Sequence, residues 1–456
     1  MKKSHFVIFV PTIILMLLIS GITQDLLGQS ELLVRGRAFG ISARAMGMGG
    51  AYTSVAEDYS ATYWNPAGLA LMRRMEFFIS MPNTRYQTTA THSTITSERQ
   101  ENFTKLNSIG FAFPIPTYRG SLVFAFGYNR VRNFDQVFEF SWFNPNEDTL
   151  APALNDLTQE TWDTLEKGHV GQYTFSGAMD ISPNMSLGAS INLWRGKNTF
   201  EDNYQSTDVQ DIWTLDEFGV NNTIESDLRA VNFKLGGLYR LGQFMRLAGT
   251  VELPYTLKID ENSTYHYWEY WEAENPYDEQ SDYHFEYQIL NPFKFSAGAS
   301  LFLPLVTLAA DVNYTDWSQM EYQTDPPFTK VNPVEVDGQW VYYDSTQAEI
   351  NRDIRKLYRA TTTIHLGGEF NVPFLATQLR AGVFVEPSPF KNAASTLNRK
   401  YFTIGAGLLL DKQMKVDVNW IHGWWTNEKS NFSNYIPVLK EEIKLDQIEV
   451  SLAIRF

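Results

Sequence analysis

From Met75 to the C-terminus, apolar and polar residues take turns along the chain with a period of two. Leu122, Phe124, Phe126 and Tyr128 alternate with Ser121, Val123, Ala125, Gly127 and Asn129. Met185, Leu187, Ala189, Ile191 and Leu193 alternate with Ser186, Gly188, Ser190 and Asn192. The chain ends in the same manner, with Ile448, Val450, Leu452, Ile454 and Phe456 set against Gln447, Glu449, Ser451, Ala453 and Arg455. Residues two apart share one face of a β-strand, so each segment builds a strand with one greasy face and one polar face. Helical periodicity is almost absent. A helical membrane bundle is excluded, because only the N-terminus has an apolar run approaching the roughly 20 residues that a spanning helix needs.

A soluble β-sandwich alternates too, and the connections separate the two cases. Short turns near residues 117–120, 183–184, 242–243, 304, 373–376 and 411–413 alternate with long polar segments near 87–106, 134–168, 198–226, 262–284, 320–350, 387–398 and 427–440. Strict alternation of short and long connections gives an even strand number with both ends on the short-turn side, as in an outer-membrane barrel. The reading is an all-β fold, a transmembrane antiparallel β-barrel of about 14 strands. Trp194, Tyr255, Tyr314, Trp317, Trp420, Trp424 and Trp425 fall near predicted strand ends, where aromatic girdles form at the membrane boundary. The terminal Phe456 has the form read by outer-membrane barrel assembly machinery.

Residues 1–21 have the layout of a secretory signal peptide, with Lys2 and Lys3 before an apolar run from Phe6 to Ile19 and then Ser20 and Gly21. The 52 Asp and Glu against 37 Lys and Arg, a net charge of −15, argue against nucleic acid as a partner. The absence of Cys removes disulfides, thiolate metal sites and a catalytic thiol. The seven His are scattered, without an H-E-x-x-H or G-x-S-x-G pattern. Neither enzyme chemistry nor a metal or cofactor is expected.

Residues 31–72 differ from the rest, packing small residues where a spanning strand would carry large apolar ones. Gly47, Gly49 and Gly50 miss the G-x-G-x-x-G spacing and follow no strand. The segment reads as a plug folded into the lumen of a barrel over residues 73–456, with a turn at Asn65 and Pro66. The run from Arg44 to Leu69, with its Asn65-Pro66-Ala67 element, resembles the N-terminal hatch of the FadL/OmpP1/TodX family of outer-membrane transporters for long-chain fatty acids and aromatic hydrocarbons. Tyr314 to Ser318, Leu366 to Phe370, Leu379 to Gly382 and Ser388-Pro389 are similar to the same family.

The resemblance implies a monomeric barrel whose hatch blocks the lumen, with Gly47, Gly49, Gly50, Asn65, Pro66 and Ala67 in that hatch. Hydrophobic small molecules would be captured among the extracellular loops, pass to an internal pocket, and leave sideways at an inward kink of the third strand, without an energy source. Ser121 to Asn129 is the predicted third strand, and Gly127 is its candidate weak point because Gly loosens a strand. Trp142 and Phe143, followed by Leu154, Leu157, Trp162 and Leu165 at helix-like spacing, form the candidate capture surface; a short helix packed over the barrel mouth is the other reading. The acid-rich stretches 201–226 and 260–286 read as solvated faces or, alternatively, as carboxylates bridged by divalent cations to lipopolysaccharide of the surrounding outer-membrane lipid. The Tyr63-Trp64-Asn65 form of the hatch also resembles barrels of the type IX secretion system, which shuttle secreted proteins, and a barrel component of such a system is the alternative function.

Overall fold

The computed structural model describes residues 37, 40–143, 158–212, 214–272, 275–327, 331–336, 339–344, 346–411, 413–429 and 439–456. The predicted signal segment lies outside these residues. In chain order the strands begin with β1 (Glu76–His92), β2 (Ile95–Thr104), β3 (Ser108–Ile115), β4 (Leu122–Asn133), β5 (Gln136–Phe143), β6 (Gln159–Ser182) and β7 (Met185–Thr207). They continue with β8 (Leu215–Leu241), β9 (Met245–Glu252), β10 (Tyr255–Trp271), β11 (Tyr277–Asn291), β12 (Lys294–Phe302), β13 (Val306–Asp316) and β14 (Glu321–Tyr322). After the hairpin of β15 (Val331–Val336) and β16 (Gln339–Asp344) come β17 (Ala360–Asn371), β18 (Thr377–Glu386), β19 (Arg399–Leu409), β20 (Met414–Lys429) and β21 (Leu439–Arg455). The helices are α1 (Ala43–Gly47), α2 (Ala61–Trp64) and α3 (Gln347–Leu357), with a 3-10 turn over Pro66–Leu71.

Neighbouring strands pair antiparallel, and β21 returns to β1 from Glu76↔Arg455 to Thr91↔Lys440. The sheet therefore closes and leaves no edge in the hydrocarbon, where an unpaired backbone group cannot find water. Five walls are built in two pieces each: β2 with β3, β4 with β5, β9 with β10, β11 with β12, and β13 with β14. Counted this way the barrel has 14 strands. Two of the interruptions carry proline, Pro254 and Pro292, which has no N–H to give to a ladder.

Outward residues form the apolar band the alternation predicts: Phe175, Leu235, Ile364 and Ile448 are all exposed, while Ser176, Ser190, Thr403 and Ser451 are buried within. Several strands are much longer than the roughly 9 to 11 residues a crossing needs: β6 has 24 residues, β7 has 23 and β8 has 27. Most of the segments expected as long polar loops, 198–226 and 262–284 among them, are upward continuations of these hairpins. Above the bilayer the outer face has no need to be apolar, so the period-two signal fades while the ladder goes on.

α3 lies where the long polar loop near 320–350 is expected to give way to a strand. Thr346 accepts the Glu349 N–H at 3.3 Å while the Glu349 carboxylate accepts the Thr346 N–H at 2.9 Å, a reciprocal cap. Ile350 and Ile354 on one side of this helix are buried. The aromatic girdle is also smaller than expected. Tyr314 and Trp424 face outward, but Trp194, Tyr255 and Trp425 are buried inside. A one-residue difference in position reverses the face of a strand residue, and these three fall on the inner parity.

Candidate transport site

Residues 40–72 are buried almost throughout and touch the wall all the way round, which only a position inside the barrel allows. α1 reaches β18 to β21, and the 3-10 turn reaches β4, β6, β7 and β8. On the first side, Arg44 gives two hydrogen bonds of 3.0 Å to Glu369 of β17. Glu369 also takes a 2.7 Å bond from Arg380 of β18, which in turn pairs with Asp417 of β20 at 2.8 Å. Glu57 sits between Arg44 at 3.4 Å and Arg246 at 3.1 Å. Burial alone would raise the pKa of Glu57, but the two guanidinium groups outweigh it and hold the carboxyl below its ordinary value.

The glycines of this segment let two backbones touch. Gly49 and Gly50 have φ of 64° and 73°, a region other residues avoid, and a Cβ on Gly49 would strike the backbone of Leu366 and Val383. The Gly49 N–H donates to Thr403 Oγ1 at 3.0 Å, Thr403 donates to Gly47 O at 3.2 Å, and His365 Nδ1 donates to Gly49 O at 2.8 Å. Asn65 is fully buried; its Nδ2 donates to Thr53 O at 3.0 Å and Gly237 O at 3.2 Å, and its Oδ1 accepts the Ala67 N–H at 3.1 Å. Pro66 and Ala67 lie against Gly188 of β7, where a Cβ would collide with them. Asp311 of β13 accepts the N–H groups of Tyr52 and Thr53 at 2.8 and 2.7 Å, a wall contact that no sequence pattern flagged.

Gly127 occupies a different place from the expected weak point. It is paired on both sides, to Gly110 of β3 and Thr174 of β6, and its open face receives Tyr59, with which a Cβ would collide. The third strand breaks farther along. Its register shifts between Arg130 and Arg132, β4 ends at Asn133, and β5 starts at Gln136. Beyond this point β2 pairs only with β1, and β5 only with β6, among the described residues. β5 has moved inward: Thr88, on the buried face of β1, donates to Val137 O at 2.7 Å, and Val137, Phe138, Phe140 and Trp142 are all buried.

The wall thus has a seam between β2 and β5 with no ladder. Side chains bridge it: Arg99 pairs with Glu139 at 2.8 Å, and the Ser141 N–H donates to Ser97 Oγ at 3.3 Å. It begins level with Ser80 and Asn83 of β1, where outward residues change from Met81 to Asn83 and Arg85. That is the upper edge of the apolar band. Arg37, near the start of the plug segment, forms a two-bond bridge with Asn133 at the end of β4, with distances of 3.0 and 2.9 Å.

Beside the break lies a buried apolar cluster that includes Val131, Phe134, Trp194, Leu228, Tyr255 and Leu257, with Ile350 and Ile354 of α3, and Tyr63 packs against it. Three cations border it. Arg132 donates to Tyr255 Oη at 2.6 Å and Asn291 Oδ1 at 3.0 Å and lies over the Trp194 ring. Lys234 donates to Tyr63 O at 2.6 Å, and Lys234 and Lys294 flank Glu252 at 3.9 and 3.5 Å. Among the described residues, the Trp194 Nε1 and Asn291 Nδ2 donors are buried without a partner. The sequence places Trp194 and Tyr255 on the outer girdle and so does not reveal this cluster.

The expected capture surface is brought together only in part. Trp162 and Leu165 lie on β6, not on a helix, because they continue the ladder with β5 and β7. Trp142 and Trp162 are buried in a mouth cluster with Phe138, Phe140, Tyr204 and Phe218, where Phe138 meets Trp162 edge-on at 5.0 Å. Phe143 is half-buried at the end of β5. Leu154 and Leu157 lie outside the described residues.

Residues 37–447 match the family described as outer membrane protein transport protein (OMPP1/FadL/TodX). No curated protein shows significant sequence similarity to the chain. The fold is similar to a Pseudomonas aeruginosa FadL homologue, at 15% identity and a TM-score of 0.61 over 92% of this chain and 100% of the other. It is also similar to the P. putida toluene transporter TodX, at 12% identity and a TM-score of 0.61 over 92% and 99% of the two chains. The Ralstonia pickettii toluene transporter TbuX gives 14% identity and a TM-score of 0.55 over 91% and 98%. With a closed 14-stranded barrel, an apolar outer band and a family match over nearly its whole length, the chain belongs to the OMPP1/FadL/TodX family of outer-membrane transport proteins.

Proposed function

We propose that this barrel takes up hydrophobic compounds passively, with residues 31–72 as the hatch and the β2–β5 seam as a sideways exit into the outer leaflet. The seam carries the reading, because along it neither β2 nor β5 has a ladder partner on the facing side among the described residues. The mouth aromatics around Trp142 and Trp162 give a ligand its first apolar contact, and the cluster around Trp194 and Tyr255 opens beside the seam as an internal chamber to take it. Among the hydrophobic compounds, the chamber favours an amphiphile with a carboxylate head. Arg132, Lys234 and Lys294 outnumber Glu252 there, and two buried donors face the same space. Long-chain fatty acids meet this description better than neutral arenes do. A folded secreted protein would need a far wider passage than a lumen filled by residues 40–72 leaves.

The Cys-free chain offers a direct test. Ser97→Cys with Ser141→Cys places a thiol pair across the seam. Oxidation, verified by loss of free thiol, is expected to stop uptake of radiolabelled oleate into proteoliposomes, and reductant to restore it. Equal uptake by the oxidised and reduced forms overturns the exit.

A further inference from the structure

On the outside of the barrel, Arg195 of β7 lies directly opposite Arg229 of β8, and Arg229 directly opposite Lys258 of β10. Their chain neighbours Trp194, Leu228, Ala230, Leu257 and Ile259 are buried inside, so all three side chains point outward, and all three are exposed. Directly opposed residues in a sheet stand about 4.5 to 5.5 Å apart, and like charges so placed repel. Among the described residues none of the three forms an ion pair. Gly171 and Gln288 bound the row on either side.

The groups above and below the row are of two kinds. One pleat higher, Lys197 pairs with Asp227 at 3.4 Å, with 81% of the lysine side chain exposed, and Asp227 stands opposite Asp260. Asp260 has His284 at 3.7 Å. Glu286 of β11 stands opposite Asp260, so the four cations Arg195, Lys197, Arg229 and Lys258 face three carboxylates, Asp227, Asp260 and Glu286. One pleat lower the same strands show Leu193 and Val231, then Ile191 and Phe233, all exposed. The row sits on the upper rim of the lipid-facing band.

We propose that this row is a docking site for a phosphorylated lipid of the outer leaflet, with phosphate oxygens on Arg195, Arg229 and Lys258 and acyl chains against Leu193, Val231, Ile191 and Phe233. The charge is complementary, since guanidinium groups bind phosphate in a bidentate way and an anion removes the repulsion along the row. Three strands spaced about 4.8 Å apart spread the cations over roughly 10 Å, enough for a headgroup with more than one phosphate. Contact with the apolar band selects a lipid over a free phosphate or a soluble polyanion. The acidic walls above, on β7, β8 and β10, repel anions arriving from the medium and leave the site open from the membrane side.

The test uses the full-length barrel in detergent micelles and bisphosphorylated lipid A, with bound lipid counted by native mass spectrometry. Wild-type protein is expected to bind it, while dephosphorylated lipid A binds poorly and inorganic phosphate does not compete. The triple variant Arg195→Ser, Arg229→Ser, Lys258→Ser is expected to bind about a hundredfold more weakly, at roughly fivefold per removed charge. Arg229→Ser alone, at the centre of the row, serves if the triple variant loses the heat-modifiable gel shift of a folded barrel. Lys400→Ser, an exposed cation elsewhere on the wall, is expected to bind as wild type. Undiminished binding by the folded variants, an equal loss in Lys400→Ser, or competition by inorganic phosphate overturns the proposal. Oleate uptake is measured on the same variants and is expected to be unchanged, so failure of the docking site and failure of the transport reading are separate results.

Discussion

Arg44 and Glu369 are 325 residues apart in sequence and share two hydrogen bonds of 3.0 Å inside the barrel. Glu369 is 5% exposed at its side chain and holds Arg380 as well. Replacing Arg44 with Ala leaves a buried carboxylate short of one partner, and breaking such a pair costs about 3 to 5 kcal/mol. The loss falls on docking of the plug, so single-channel conductance in planar bilayers is expected to rise above the near-closed level of the wild type. Unchanged conductance would show that the plug does not depend on this pair.

Glu57 predicts a response to acid. Its carboxyl titrates lower in the folded protein than the ordinary 4.5, so its contribution is complete above that value and is lost as pH falls through the depressed one. The share of plug docking that Glu57 supplies is therefore expected to be lost only in acid below the usual carboxylate range. Conductance recorded against pH should show this step, and Glu57→Gln should remove it.

Asn65 should tolerate Asp less well than Ala. Its amide nitrogen faces two carbonyls, Thr53 O and Gly237 O, and an oxygen in that place would be repelled by both. Asn65→Ala is expected to cost about 1 to 3 kcal/mol in unfolding experiments through the lost buried bonds, and Asn65→Asp more. Equal stability of the two variants would contradict this hydrogen-bond geometry.

Gly110 and Tyr59 form a coupled pair. A Cβ on Gly110 meets only the Tyr59 ring among its three nearest atoms. Gly110→Ala is expected to destabilise by about 1 to 3 kcal/mol with Tyr59 present and to be nearly neutral in a Tyr59→Ala background. A double-mutant cycle by urea unfolding in micelles reads the coupling directly; additive effects would remove the contact from the account.

The chamber cations should separate ligand classes. Lys294→Met removes a charge beside Glu252 while keeping length and apolar bulk. Oleate uptake is expected to fall about tenfold, as befits one lost charge-assisted bond of roughly 1.5 kcal/mol or more, while toluene uptake is expected to stay within twofold. Parallel loss of both would assign the lysine to wall stability and not to the ligand.

The barrel was legible because its physics repeats every two residues: the alternations at Leu122 to Tyr128 and Met185 to Leu193 are strands in the positions expected. The plug was legible from Gly49, Gly50 and Asn65, whose residue types have few structural uses. The seam was not. Phe134 and Asp135 carry no breaker signal, and the inward turn there follows from long-range contacts such as Thr88 to Val137 and Arg37 to Asn133. The cluster around Trp194 and Tyr255 escaped for a parity reason, since an aromatic near a strand end can serve a girdle or the interior and only the face decides. Trp162 and Leu165 were misleading because apolar spacings of three fit a helix and a twisted, half-buried strand alike.

The plug's contacts also impose an order of assembly. Gly49 binds Thr403 and His365, and Arg44 binds Glu369, so the segment that leads the described chain finds its partners in β17 and β19, near the other end. Contacts so distant in sequence form late and fold slowly. The N-terminal segment must therefore wait, unpaired and rich in small residues, until the last third of the chain arrives. If it enters through the side of the curling sheet, it does so before β21 meets β1, because that pairing closes the wall.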